Sequence, residues 1–78
     1  MPTILIHEGF RLFFYSADGI EPMHIHVEYG NGLAKFWISP NQLVYSHGLK
    51  AQELRRARKI IDIHEELIKE KWHEYFGI

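Results

Sequence analysis

The sequence predicts an α+β fold: a four-stranded antiparallel sheet, with a fifth strand as an option, packed on a long C-terminal helix. Two patterns carry this prediction. Residues 3–38 contain short β-branched and aromatic runs separated by segments with Gly or Pro, which is typical of consecutive strands. Residues 51–76 contain no Gly or Pro and repeat apolar side chains every three or four positions, which indicates an amphipathic helix. A chain of 78 residues is expected to form one domain over residues 1–78.

The first half of the chain is expected to supply the four strands. Gly9 marks the turn between the first two, and residues 16–22, which include Asp18-Gly19, form a loop before the third. The predicted strands cover residues 3–6, 10–15, 24–29 and 33–38.

The dipeptide Asn31-Gly32 is the strongest turn signal in the sequence. Asn-Gly between apolar runs favours a type I′ hairpin turn, because both central residues need a positive φ. In this register Glu28 lies opposite Lys35, an attractive pair. The alternative two-residue loop, Gly30-Asn31, would place Glu28 opposite Leu33. Both registers leave the same side chains on each face of the sheet.

The remaining segments are an ambiguous stretch and the helix. Residues 42–46 fit either a short edge strand or a helical turn. A helix of about 25 residues would be ~38 Å long, whereas strands of five or six residues span ~17–20 Å. We therefore expect the helix either to break near His64-Glu65 or to overhang the sheet and dock on another subunit. Trp72 and Tyr75 are expected to seal the helix onto the sheet. If the helix overhangs, exposed rings at these positions would favour a homodimer or an obligate partner.

The third predicted strand carries two histidines two residues apart. Alternate side chains of a strand point to the same face, so His24 and His26 share one face while Ile25 and Val27 share the other. The apolar face is expected to pack on the helix. The opposite face, here called the outer face, then carries both imidazoles.

Further polar and aromatic side chains are expected on the outer face. Aromatic rings stack on bases and cations meet phosphates, so such a face suits RNA. Histidine is the side chain best placed to move protons near neutral pH. We therefore assign His26 as general base, His24 as general acid and Lys35 or Arg11 as the group that stabilises a pentacovalent phosphate. The candidate substrate-binding or partner-binding residues of this face are Arg11, Tyr15 and Trp37.

Two alternatives stay open for the histidine pair. The first is that both are hydrogen-bonded surface or interface residues with no catalytic role. The second is a metal site, because His-x-His on a strand can supply two ligands and Glu28 or His7 a third. No diagnostic spacing supplies that third ligand, so the sequence assigns no metal and no cofactor.

The predicted helix has an unusual charge order. Cations cluster in its first half and acids in its second, opposite to the order that the helix dipole favours by ~0.3–1 kcal/mol per site. A basic half that helix energetics do not explain can bind RNA or an acidic protein; the alternative is an ordinary solvated face. The cations concerned are Arg55, Arg56, Arg58 and Lys59.

Composition excludes several classes of protein. With a formal net charge of −1 the chain is not a strongly basic nucleic-acid-binding protein, although a local basic patch stays open. The sequence has no Cys, which rules out disulfides and thiolate metal sites. It shows no signal-peptide pattern and no apolar run of ~20 residues. We therefore expect a cytoplasmic protein without a membrane partner.

The strand Pro22-x-His24-x-His26 is followed by Ala-Lys-Phe-Trp at residues 34–37. With this pattern as its most specific part, the chain resembles, over nearly its whole length, the small bacterial domain-of-unknown-function family 4160. Met23 and Lys50 depart from the usual family pattern. Members are commonly encoded beside a second small protein, in gene pairs resembling toxin–antitoxin modules. The resemblance implies a small antitoxin-like partner protein and no settled activity. We therefore expect a toxin-like component acting on RNA, or alternatively a non-catalytic protein-binding module.

Overall fold

The protein consists of one antiparallel sheet and two C-terminal helices. A computed structural model describes residues 2–78. The sheet has five strands in the order β1-β2-β3-β4-β5, so every strand pairs with its neighbours in the sequence. The ambiguous segment is therefore an edge strand, and the predicted α+β class is confirmed. The elements are β1 Thr3–His7, β2 Phe10–Phe13, β3 His24–Tyr29, β4 Gly32–Trp37, β5 Gln42–His47, α1 Ala51–Ile63 and α2 Glu65–Phe76.

The core lies between the helices and one face of the sheet. Strand alternation sends every second side chain of β2, β3 and β4 to this inner face, where each is shielded from solvent. The helices contribute side chains three, four or seven positions apart, as an amphipathic pattern requires. The buried core includes Leu12, Ile25, Val27, Phe36, Ala57, Ile61, Ile68 and Trp72.

The β3–β4 hairpin adopts the alternative register, and the preferred prediction was wrong. Tyr29 pairs with Gly32 and Glu28 with Leu33, so the two loop residues are Gly30-Asn31. Only Gly30 has a positive φ there, +57°, as a type II′ turn requires at its first central position. The reason lies in tertiary packing. In the observed register Gly32 lies in β4 beneath the Gly48 backbone. An ideal Cβ on Gly32 would stand 2.7 Å from the Gly48 carbonyl oxygen, so only glycine fits at this position.

The two-residue turn with both φ values positive joins β1 to β2 instead. Glu8 has φ 51° and Gly9 φ 86°, and the flanking residues His7 and Phe10 pair across the hairpin. Gly9 was predicted as this turn. Glu8 adopts the left-handed conformation that L side chains rarely take.

The predicted long helix is two helices. A single continuous helix is wrong, and the alternative, a break near His64-Glu65, is confirmed. A straight helix of ~38 Å would exceed the longest principal dimension of the molecule, 33 Å. The chain breaks at His64, which has φ −106° and ψ 20°. The His64 ring donates through Nδ1 to the Ile60 carbonyl at 3.0 Å, a side-chain bond that competes with regular helix. No helix within residues 2–78 is long and apolar enough to cross a membrane.

Candidate functional site

The outer face gathers the polar side chains that strand alternation places there. Phe13 pairs with His26 across β2 and β3, and His26 pairs with Lys35 across β3 and β4. His24 lies directly opposite Trp37. The two histidines are therefore neighbours of the predicted cation and of the predicted stacking ring. Their own rings are 5.1 Å apart, edge to face.

Loop 16–22, which links β2 to β3, folds back over the two histidines. Its Asp18–Ile20 segment is a short 3₁₀ turn. An ideal Cβ on Gly19 would stand 2.7 Å from Cδ1 of Phe76, so the loop is packed against the end of α2. This cover leaves His24 0% and His26 4% exposed.

Asp18 is the centre of the arrangement under this loop. Its carboxylate lies 3.2 Å from Nε2 of His24 through Oδ1 and 3.2 Å from Nε2 of His26 through Oδ2. The backbone N–H of Tyr15 donates to Oδ2 at 2.8 Å. Asp18 is itself buried. Sequence reasoning missed this residue, because Asp18-Gly19 signals only a turn and the contact depends on how the loop folds back.

His24 has a defined hydrogen-bond donor. Its Nδ1 lies 2.8 Å from the Pro22 carbonyl oxygen, and a carbonyl only accepts, so Nδ1 carries the proton. In the neutral imidazole Nε2 is then an acceptor, and it faces the Asp18 carboxylate, another acceptor. Neither Nε2 of His24 nor either ring nitrogen of His26 makes an aligned hydrogen bond. The three side chains are close together, but they do not satisfy the hydrogen-bonding capacity of the histidine nitrogens.

His26 is biased towards its neutral form. Burial lowers the pKa of His26, and the Asp18 carboxylate opposes this shift only in part. Positive charge on His24 or Lys35 lowers the pKa of His26 further. A pKa below the ordinary value of about 6.5 leaves the imidazole neutral at pH 7, with a free lone pair.

The outer-face cations are paired with acids. Nζ of Lys35 lies 2.6 Å from Oε1 of Glu21 and 4.8 Å from the centre of the Trp37 ring. The hydrogen bond from Lys35 lowers the pKa of Glu21. Arg11 lies 3.3 Å from Glu28. The predicted Glu28–Lys35 pair is therefore wrong, because the other hairpin register gives each residue a different partner.

The basic cluster of α1 does not join this site, because the helices cover the inner face. Arg56 lies 3.5 Å from Glu8, and Arg58 donates to the Asn41 carbonyl at 2.9 Å. Arg55 and Lys59 are exposed and one helical turn apart. The predicted binding residues thus form two groups on opposite sides of the sheet.

The arrangement places the histidines out of reach of a large substrate. General acid–base catalysis needs contact within hydrogen-bonding distance of the reacting group, and loop 16–22 lies over both rings. Roles of His24, His26 and Lys35 in catalysis stay predictions. Neither third ligand suggested for a metal joins the histidines: Glu28 is paired with Arg11, and His7 lies beside Glu8. The carboxylate that lies beside both histidines is that of Asp18.

Comparison with known proteins gives a family but no characterised relative. The family model described as "Domain of unknown function (DUF4160)" matches residues 9–73, a range that includes Asp18 and every predicted site residue. No curated protein and no solved structure matches the chain. Since the matched range runs from the start of β2 almost to the end of α2, the chain belongs to the DUF4160 family.

Proposed function

We propose that this protein is a cytoplasmic, non-catalytic binding module that holds a small partner protein against β5 and the adjoining part of the outer face. The observation that carries the proposal is a contrast in exposure. The two histidines are closed off by the protein's own loop, whereas every residue of β5 except Leu43 is exposed.

The edge strand β5 is suited to receive another strand. It pairs with β4 on one side only, so the backbone groups of its other side are free to hydrogen-bond a partner. Natural edge strands are commonly protected by Lys or Pro. The β5 sequence, Gln-Leu-Val-Tyr-Ser-His, contains neither, although a bulge interrupts its pairing with β4 beside Phe36. Strand addition to such an edge is a common mode of peptide recognition.

A strip of aromatic side chains adjoins this edge. Tyr45 of β5 lies opposite Lys35, whose ammonium group contacts the Trp37 ring. Tyr45 is 44% exposed, and Trp37 is partly exposed. Trp and Tyr are enriched at the energetic centres of protein interfaces. We call Lys35, Trp37 and Tyr45 the aromatic strip.

The charges of the outer face favour a protein over RNA as its ligand. RNA binding draws much of its free energy from cations that replace counterions on phosphates. Here Lys35 and Arg11 already contact Glu21 and Glu28. An RNA would have to displace both acids, whereas a protein interface tolerates paired charges at its rim.

A second candidate function is that of a toxin-like component acting on RNA. Arg55 and Lys59 favour it, because they are exposed and form no ion pair within residues 2–78. In that case α1 would bind phosphates, and His24 and His26 would act after displacement of loop 16–22. The binding module and the toxin-like component predict different effects on cells and on RNA.

The test uses the small protein expected to be encoded beside this chain as the partner. The two are co-expressed, and the amount of partner that co-purifies with the tagged chain is measured. We expect the Trp37→Ala/Tyr45→Ala double variant to lose the partner. Tyr75→Ala is the matched control, because Tyr75 is 45% exposed but lies on α2; this variant should keep the partner. Equal binding by the double variant and the wild type would rule out the aromatic strip as the interface.

A parallel experiment separates the two functions. The chain is expressed without its partner, and cell growth and total RNA are followed. A binding module leaves growth and RNA intact. Growth arrest with RNA loss, relieved by a folded His24→Ala/His26→Ala variant, would contradict the binding module and support the toxin-like component.

A further inference from the structure

We propose that Asp18, His24 and His26 form a binding site for one divalent transition-metal ion, and that Zn²⁺ is the ion the site fits best. Two imidazole nitrogens and a carboxylate are a common zinc donor set. The proposal does not rest on the proposed function: none of the three residues belongs to β5 or to the aromatic strip, although His24 and His26 lie opposite Trp37 and Lys35 of that strip.

The spacing of the donor atoms fits a shared ion. One ligand atom from each of the three residues lies within 4.8 Å of the other two. The Asp18 oxygens are 3.2 Å from the two Nε2 atoms. Ligands at about 2.0–2.1 Å from a tetrahedral zinc ion lie about 3.3–3.4 Å from one another. Each carboxylate oxygen is therefore at ligand-to-ligand separation from one imidazole nitrogen. Small side-chain rotations would bring the three donor atoms, which lie within 4.8 Å of one another, around one ion.

The hydrogen bonding of the site leaves a place for a cation. His24 and His26 are buried, and Nε2 of each is without a hydrogen bond although it lies 3.2 Å from an Asp18 oxygen. Burying such polar atoms unpaired is costly. A single ion among the three side chains would accept both lone pairs and neutralise the carboxylate at once.

His24 also has the outer hydrogen bond that metal-bound histidines usually have. Metal ligands commonly donate their second ring N–H to a backbone carbonyl or a carboxylate, which fixes the tautomer and aims the other nitrogen at the ion. Nδ1 of His24 donates to the Pro22 carbonyl. This bond fixes the ring with Nε2 on the side of Asp18. In the neutral imidazole Nε2 is then the nitrogen with the lone pair, which a zinc ligand requires.

Three protein donors leave the fourth position of a tetrahedral ion to a water molecule, and the cover of loop 16–22 keeps a large substrate away from it. The ion would link loop 16–22, through Asp18, to the first residues of β3. An ion that binds the folded chain and not the unfolded chain raises the stability of the fold. We therefore expect zinc to raise Tm in proportion to the logarithm of its concentration above Kd.

The first experiment is a metal titration of the wild-type protein after removal of metal with EDTA and dialysis. We expect one Zn²⁺ bound per chain by calorimetry, a rise in Tm, and the intense visible absorption of four-coordinate Co²⁺ when cobalt is used as the probe. His47→Gln, an exposed-histidine control, should bind as the wild type does. Asp18→Asn keeps the size and shape of the side chain; if circular dichroism shows it folded, it should lose the site.

The second measurement needs no variant. Long-range ¹H–¹⁵N NMR spectra of the wild type, with and without one equivalent of Zn²⁺, show which histidine nitrogens bind metal. We expect Nε2 of His24 and of His26 to shift together. Zinc found only on exposed histidines would overturn the proposal. So would a protein that takes up no zinc and carries a proton on Nε2 of His24, which would then be an ordinary ion pair with Asp18.

Discussion

Asp18 connects three parts of the outer face through one carboxylate. It accepts the Tyr15 N–H at 2.8 Å and lies 3.2 Å from both His24 and His26. The side chain is largely buried, so its contacts link loop 16–22 to the start of β3 in a place mostly closed to solvent. The loop also packs on Phe76, and Asp18 supplies the polar part of its contact with the sheet.

Replacing Asp18 is therefore expected to destabilise the metal-free protein. In EDTA, Asp18→Ala should lower the free energy of unfolding by about 1–3 kcal/mol, because it leaves the Tyr15 N–H without its acceptor and removes the carboxylate beside two buried imidazoles. Glu28→Ala is the control, since Glu28 forms an exposed pair with Arg11 and should cost less than about 1 kcal/mol. Urea unfolding followed by circular dichroism measures both. Equal losses would mean that the Asp18 contacts contribute no more than a surface ion pair.

The stability of the metal-free protein is also expected to depend on pH through His26. Burial holds the pKa of His26 in the folded protein below its unfolded value, which is about 6.5. As the pH falls through the unfolded pKa, His26 takes up a proton in the unfolded chain but remains neutral in the folded chain. The free energy of unfolding therefore decreases. The neighbouring charged groups are Asp18, which opposes the shift, and His24 and Lys35, which enhance it.

Urea unfolding in EDTA at several values between about pH 7.5 and about pH 5.5 measures this dependence. His26→Gln should flatten the dependence, and His47→Gln, which changes an exposed ring, should leave it as in the wild type. A wild type whose stability is unchanged or higher at the acid end would show that His26 takes up its proton as easily in the folded state.

At the scale of single elements, strand alternation is the part of the site that the sequence predicts. The period of two puts His24 and His26 on one face and Ile25 on the other whatever else happens, and the structure agrees. The register of the same hairpin was not predictable in this way. It is decided by the close approach of the Gly48 backbone to Gly32, a contact between residues that only the tertiary structure brings together.

Long-range packing also explains why Asp18 was missed. It reaches the histidines because loop 16–22 folds back onto β3 and rests against Phe76, which the turn chemistry of the loop does not specify. The helical periodicity of residues 51–76 correctly predicts the buried face. The apolar pattern continues through His64, so the break there was predicted only as one of two alternatives, from the length of the helix relative to the strands.

The α2 helix is held to the sheet by Trp72, and its truncation is expected to be severe. The ring is 2% exposed and lies 5.2 Å from Phe14 and 5.3 Å from His24, centre to centre. Trp72→Ala should cost about 3–5 kcal/mol, a large part of the ~4–12 kcal/mol expected for a domain of this size. Tyr75→Ala, on the exposed side of the same helix, should cost much less. Far-UV circular dichroism during urea unfolding measures both, and similar losses would show that Trp72 does not anchor the helix.

On the scale of the whole molecule, the two sides of the outer face differ in how well they are shielded from solvent. The inner face is covered by both helices, and the outer face is covered by loop 16–22 only at the β2–β3 side. The β4–β5 side carries partly exposed Lys35 and Trp37 and the exposed edge strand. The same fold thus has a closed polar cluster and an open edge, which is why we assign metal binding to the first and partner binding to the second.

Amide hydrogen exchange should reproduce this inequality in the isolated protein. Residues of β3 are paired on both sides, to β2 and β4, and are expected to exchange only through global unfolding. The amides of the two edge strands that point away from the sheet, in β1 and β5, should exchange fastest among the strands, and the partner protein should slow those of β5. If they are already slow in the isolated protein and become fast on dilution, a second copy of the chain covers the edge and β5 is a homodimer interface. If they are slow at every concentration, the edge is covered within the monomer, and strand addition to β5 is excluded as the mode of partner binding.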